Sequence, residues 1–63
     1  MAHITNIRES LARHILGQYR MTPEQIDYAL DWAREAGTFE GEHNGSPITV
    51  TAEYGGSRFT IIR

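Results

Sequence analysis

The chain has no cysteine and no lysine among its 63 residues, and only six of them are aromatic. Without thiols it forms no disulfide and no thiolate metal site, and thiol redox chemistry is excluded with them. Domains of this length bury only roughly 60% of their unfolded surface and commonly rely on such staples. What remains to hold a fold is local signalling, close packing or association with another chain. No apolar run approaches the ~18 residues of a membrane-crossing helix. The opening "MAHITNIRES" lacks the basic-then-apolar order of a secretory signal, so a cytoplasmic location is the expectation.

The absence of lysine makes all six cations arginines. A GC-rich coding genome is the simpler explanation, and selection for planar, bidentate contacts is the other. The formal net charge is only −2, but it is unevenly laid out. Residues 1–23 carry three arginines against Glu9 alone. Residues 24–53 carry seven acids against Arg34, and residues 54–63 carry two arginines and no acid.

A single domain over residues 1–63 is expected, with no linker, repeat or low-complexity tract. The patterns predict helices at about 6–20 and 22–36 and strands at about 38–43, 47–54 and 57–63. Asn6 and Glu9 read as a capping box opening the first helix, whose apolar stripe is Ile7, Leu11, Ile15 and Tyr19. Ile4 is placed to pack beneath that stripe. Gly17 interrupts it, either as a close-packing point or as the end of the regular helix.

The second helix is the best signalled. Thr22 is the cap, Pro23 takes the first helical position and Gln25 completes the box. Ile26, Ala29, Leu30, Ala33 and Ala36 share a face, and Gly37 closes the helix.

Beyond Gly37 the hydrophobic period changes to two. Asn44-Gly45 and Gly55-Gly56 read as two-residue hairpin turns. The turn at 44–45 sets Phe39 opposite Val50 and Gly41 opposite Ile48. The turn at 55–56 sets Val50 opposite Ile61, Ala52 opposite Phe59 and Tyr54 opposite Ser57. Both registers put Phe39, Ile48, Val50, Ala52, Tyr54, Phe59 and Ile61 on one side, and a one-residue slip in either would send that set into water. The expected fold is therefore α+β, with two antiparallel helices packed on one face of a three-stranded antiparallel meander (ααβββ). Its other face is polar and threonine-rich, and both outer strands are open edges.

Function is less legible. Asp27, Asp31 and Glu35 recur every four residues along the second helix, with Glu24 on the same side. Like charges at that spacing repel by a few tenths of a kcal/mol, so the helix gains nothing from them locally. Either Arg13 and Arg20 of the first helix reach across to the stripe, or it faces a basic partner. Tyr28 and Trp32, also four apart, flank the buried face. Trp32 suits rim packing against the first helix or the sheet, or an exposed anchor in an interface.

Helix, turn, helix and hairpin is also the element order of a winged helix-turn-helix, but a reading helix carrying four acids opposes phosphate contact. His3, His14 and His43 show no metal-ligand spacing. "YGGSR" lacks the helix and lysine of a phosphate-binding loop. No catalytic, cofactor-binding or metal-binding residue is therefore assigned, and no cofactor is expected.

The expectation is a small non-enzymatic protein–protein interaction module, regulatory or inhibitory, of a bacterium or phage. Its partner is a protein with a basic surface, or a second copy in a homodimer. Its contact residues are Asp27, Tyr28, Asp31, Trp32 and Glu35. The alternative is a winged-helix-like nucleic-acid-binding regulator.

Overall fold

Two hairpins set the frame. In the computed structural model, which describes residues 3–63 of the expected 1–63 domain, strand β2 (Thr38–His43) pairs antiparallel with β3 (Ser46–Glu53) through Phe39↔Val50 and Gly41↔Ile48. The turn between them holds Asn44 at φ 53° and Gly45 at φ 78°, the two left-handed positions of a hairpin turn that follows strand twist. Strand β4 (Arg58–Ile62) returns beside β3 in the expected register, with Ala52↔Phe59 and Val50↔Ile61.

The second connection is longer than the sequence indicates. Tyr54, Gly55 and Gly56 all adopt positive φ (54°, 72° and 91°), and Ser57 bonds back to the Tyr54 carbonyl. The ladder therefore ends at Glu53↔Arg58, and Tyr54 leaves the covered side to stand 76% exposed. A loop of four residues in place of two keeps the register, which is why the rest of the pairing is unaffected.

A fourth strand precedes the helices. Strand β1 (His3–Ile7) lies antiparallel to β4, giving a four-stranded sheet in the order β1-β4-β3-β2. The architecture is α+β with two helices, and the sheet is one strand wider than the expected three. The first helix consequently starts later. Helix α1 spans Glu9–Gln18, Arg8 stands at its cap without a side-chain bond, and the Asn6–Glu9 capping box does not form. Asn6 instead sits at φ 54° where the β1–β4 register shifts. That extra residue makes a bulge, and it lets Ile4 and Ile7, three apart, both turn to the covered face opposite Ile61 and Phe59.

The stripe of α1 differs as well. Ala12, Ile15 and Leu16 are buried with Tyr19 packed against them, whereas Leu11 is 44% exposed. Gly17 faces open space at the exposed side of the last turn, so it is no packing point. The helix closes when the Met21 and Arg20 amides bond back to the carbonyls of Leu16 and Gly17. Arg20 takes the left-handed position, φ 68°, that glycine usually fills.

Helix α2 (Pro23–Ala36) has the expected capping box, with the Gln25 amide donating to Thr22 Oγ1 at 3.2 Å and the Thr22 amide to Gln25 Oε1 at 2.9 Å. It buries Ile26, Ala29, Leu30 and Ala33 and ends at Gly37, φ 91°. α2 lies over β2 and β3, and α1 over β4. The core between helices and sheet is Ile15, Leu16, Leu30, Ile48, Val50, Phe59 and Ile61, with Ile4, Met21, Phe39 and Ala52 around its rim. Among the described residues no helix is long and apolar enough to cross a membrane.

Candidate protein-docking surface

The outward side of α2 is divided. On a helix of 3.6 residues per turn, Asp27, Asp31 and Arg34 lie toward α1, whereas Tyr28 and Trp32 lie toward β2, with Glu24 and Glu35 between. The two halves have different surroundings.

On the α1 side the carboxylates are held by arginines. Arg13 of α1 donates from Nη1 to Asp27 Oδ1 at 2.5 Å and from Nε to Glu9 Oε2 at 2.9 Å. Arg34 donates from Nη2 to Glu9 Oε1 and from Nη1 to Asp31 Oδ1 at 3.4 Å. Glu9 thus joins two arginines, and the chain Asp27–Arg13–Glu9–Arg34–Asp31 ties α1 to α2. Of the two expected reaches from the first helix, Arg13 makes its contact, while Arg20 has no ion pair among the described residues. Arg34 also extends over the 54–57 loop, with its guanidinium 5.3 Å above the Phe59 ring. Glu24 and Glu35 are exposed and have no ion pair among the described residues. The acidic stripe is therefore a partly neutralised flank with two unengaged carboxylates beside it.

On the β2 side the aromatics form a row. Trp32 and Tyr28 are 5.7 Å apart between ring centroids, and Tyr28 meets Phe39 of β2 edge-on at 5.9 Å. The edge-on contact is a geometry that aromatic pairs favour, and the Trp32–Tyr28 contact, tilted at 39°, falls within the same range of separations. Trp32 is 50% and Tyr28 59% exposed, so each ring has one side packed and one side wet. The rim and anchor roles weighed for Trp32 are compatible in this position.

The row descends into a groove that sequence reading did not assign. Between the first half of α2 and the end of β2 lies a cleft of about 450 Å³ with Met21, Tyr28, Phe39 and Ile48 as its apolar walls and floor. Thr22, Glu24, Gln25 and His43 form its polar rim, with Glu42 of β2 at its border, and among the described residues the buried His43 Nε2 has no hydrogen-bond partner. Gly41 seats the Phe39 wall of this cleft. A Cβ there would come within 2.7 Å of Phe39 Cζ, so the ring lies across the glycine where any side chain would displace it. The signal was present in the register, which set a glycine on the covered side opposite Ile48.

His3 and His14 lie on β1 and α1, away from His43 at the end of β2. Ser57 serves the 54–57 loop through its bond to Tyr54. No family model, curated protein or solved structure matches the chain.

Proposed function

We propose that this chain is a non-enzymatic protein–protein interaction module whose contact surface is the outward side of α2, formed by Asp27, Tyr28, Asp31, Trp32 and Glu35. The observation that carries the proposal is the half-exposed pair of Tyr28 and Trp32, fixed against Phe39 and bordered by carboxylates. Rigid aromatics of this kind lose little entropy when covered and tend to dominate interface energy. Glu24 and Glu35, together with the exposed oxygens of Asp27 and Asp31, favour a partner with a basic surface and disfavour an acidic one.

Magnitudes indicate how much the row can supply. Covering the exposed parts of both rings removes on the order of 200 Å² from water, a gross gain on the order of 5 kcal/mol. Association costs an estimated 4–15 kcal/mol in lost freedom. The two rings anchor a complex but need further contacts to hold it.

The double variant Trp32→Ala with Asp31→Arg tests the assignment. Circular dichroism should stay near that of the parent, while capture of a host protein by the immobilised chain is lost. Unfolding of the double variant would make Trp32 a core residue and end the assignment. Trp32 is the chain's single tryptophan, so its emission should shift to the blue when a partner covers it. Sedimentation at increasing concentration shows whether that partner is a second copy. A steep, salt-dependent affinity for duplex DNA would instead favour the nucleic-acid reading.

A further inference from the structure

Among the described residues, the groove beside Tyr28 is bounded by an unpaired strand edge, and the two features together specify what can lie there. β2 is the outermost strand on its side of the sheet. Antiparallel ladders alternate between residues that bond across the pair and residues that point their backbone away. His43 and Ser46 close the two-residue turn, and the Ala52 amide donates to the Gly37 carbonyl at 3.0 Å, which puts odd-numbered residues in the bonded set. Thr38, Glu40 and Glu42 therefore direct their amides and carbonyls outward from the sheet edge. Their side chains lie on the uncovered face, opposite Thr51, Thr49 and Pro47.

A strand added at this edge would have two different sides. Residues turned toward the helices would meet the groove of Met21, Tyr28, Phe39 and Ile48, whose Phe39 wall lies across Gly41. Residues turned the other way would stand beside Glu40 and Glu42. We propose that the β2 edge takes up an extended segment of another protein as a fifth strand, with alternating apolar and basic side chains. Backbone hydrogen bonds would supply affinity, and the alternate side chains would supply selection. With a rise of about 3.3 Å per residue, β2 accommodates a segment of about five to seven residues.

Charge decides against a second copy as the occupant. Antiparallel pairing of two β2 edges would set Glu40 and Glu42 of one chain against the same carboxylates of the other, an unfavourable cross-strand arrangement. The β1 edge, His-Ile-Thr-Asn-Ile, offers no arginine or lysine, and its bulge at Asn6 interrupts straight pairing.

The proposal deepens the docking reading by naming the partner's conformation and chemistry, and its test is separable from that reading. The probe is a seven-residue blocked peptide alternating lysine with valine or leucine, titrated into the intact chain at low salt. Amide exchange of Glu40 and Glu42 should slow on addition of the peptide, whereas the already paired amides of β3 change little. The same peptide with glutamate for lysine should not bind. Reversal of both acids, Glu40→Lys with Glu42→Lys, should weaken binding roughly tenfold or more. Glu40→Pro removes one outward amide at a position where an edge strand tolerates proline, and should abolish slowing at Glu42 as well.

Peptide binding that leaves the Glu40 and Glu42 amides unprotected overturns the proposal, as does absence of binding or equal binding of the acidic peptide. The amide measurements use the parent chain, so a variant that fails to fold does not obscure the result. Trp32 emission reports the aromatic row separately. Protected edge amides without a shift in emission would leave the strand-addition proposal standing and remove Trp32 from the contact surface.

Discussion

Arg20 holds a backbone conformation that costs an L-residue roughly 1–2 kcal/mol and a glycine almost nothing. It persists there because the amides of Arg20 and Met21 must bond back to Gly17 and Leu16 to close α1, and because that turn delivers Met21 to the core and the groove. The side chain has no ion pair among the described residues, so its replacement forfeits little. Arg20→Gly should raise unfolding stability by about 1 kcal/mol, read from the urea midpoint. A decrease would mean that the arginine makes contacts which outweigh the relief of strain. Glu9 is the opposite case, because its contacts are many. Its expected partner was the backbone at Asn6, yet its carboxylate meets Arg13 and Arg34, residues whose positions depend on how α1 and α2 dock. Such pairings between elements are invisible to spacing rules, which see only neighbours on one helix.

At the scale of elements, legibility followed the locality of the signal. α2 carries its capping box, its first-turn proline and its closing glycine within its own sequence, and it forms over almost the range those residues mark. The β2–β3 turn is likewise encoded in two adjacent residues, Asn44 and Gly45. β1 was not legible because Ile4 and Ile7 are spaced like a helix, and only the bulge at Asn6 reconciles that spacing with a strand. Deleting Asn6 would leave the two isoleucines two apart, so ordinary alternation would keep both on the covered face, opposite Ile61 and Phe59. The deletion and Asn6→Gly should therefore each cost little in chemical unfolding, whereas Asn6→Val, a β-branched residue forced to positive φ, should cost about 1–2 kcal/mol. A deletion that costs as much as exposing a buried isoleucine, about 2 kcal/mol or more, would mean that the bulge does more than aim Ile4 and Ile7. The candidate site divides in the same way. The exposed aromatics and acids of α2 could be read from helical period, but the groove requires Gly41, Phe39 and Met21, which only the fold brings together.

For the whole molecule the margin is narrow. A chain of 63 residues has a total stability of about 3–9 kcal/mol at ordinary values per residue. Phe59 is fully buried beneath both the Arg34 guanidinium and the helices, and it is the largest of the fully buried side chains among the described residues. Phe59→Ala should cost about 3–5 kcal/mol, enough to leave much of the population unfolded at room temperature. Thermal melts followed by circular dichroism would show this as a lost or strongly lowered transition. A transition near that of the parent would mean that the core closes around the vacancy.

His3 and Ile62 are direct strand partners at the margin of the sheet opposite β2. A fluorophore, resin tether or fusion attached near His3 would sit across three strand spacings, about 14 Å, from the Glu40–Glu42 margin. Immobilisation through that far side leaves both the aromatic row of α2 and the β2 edge facing the solution.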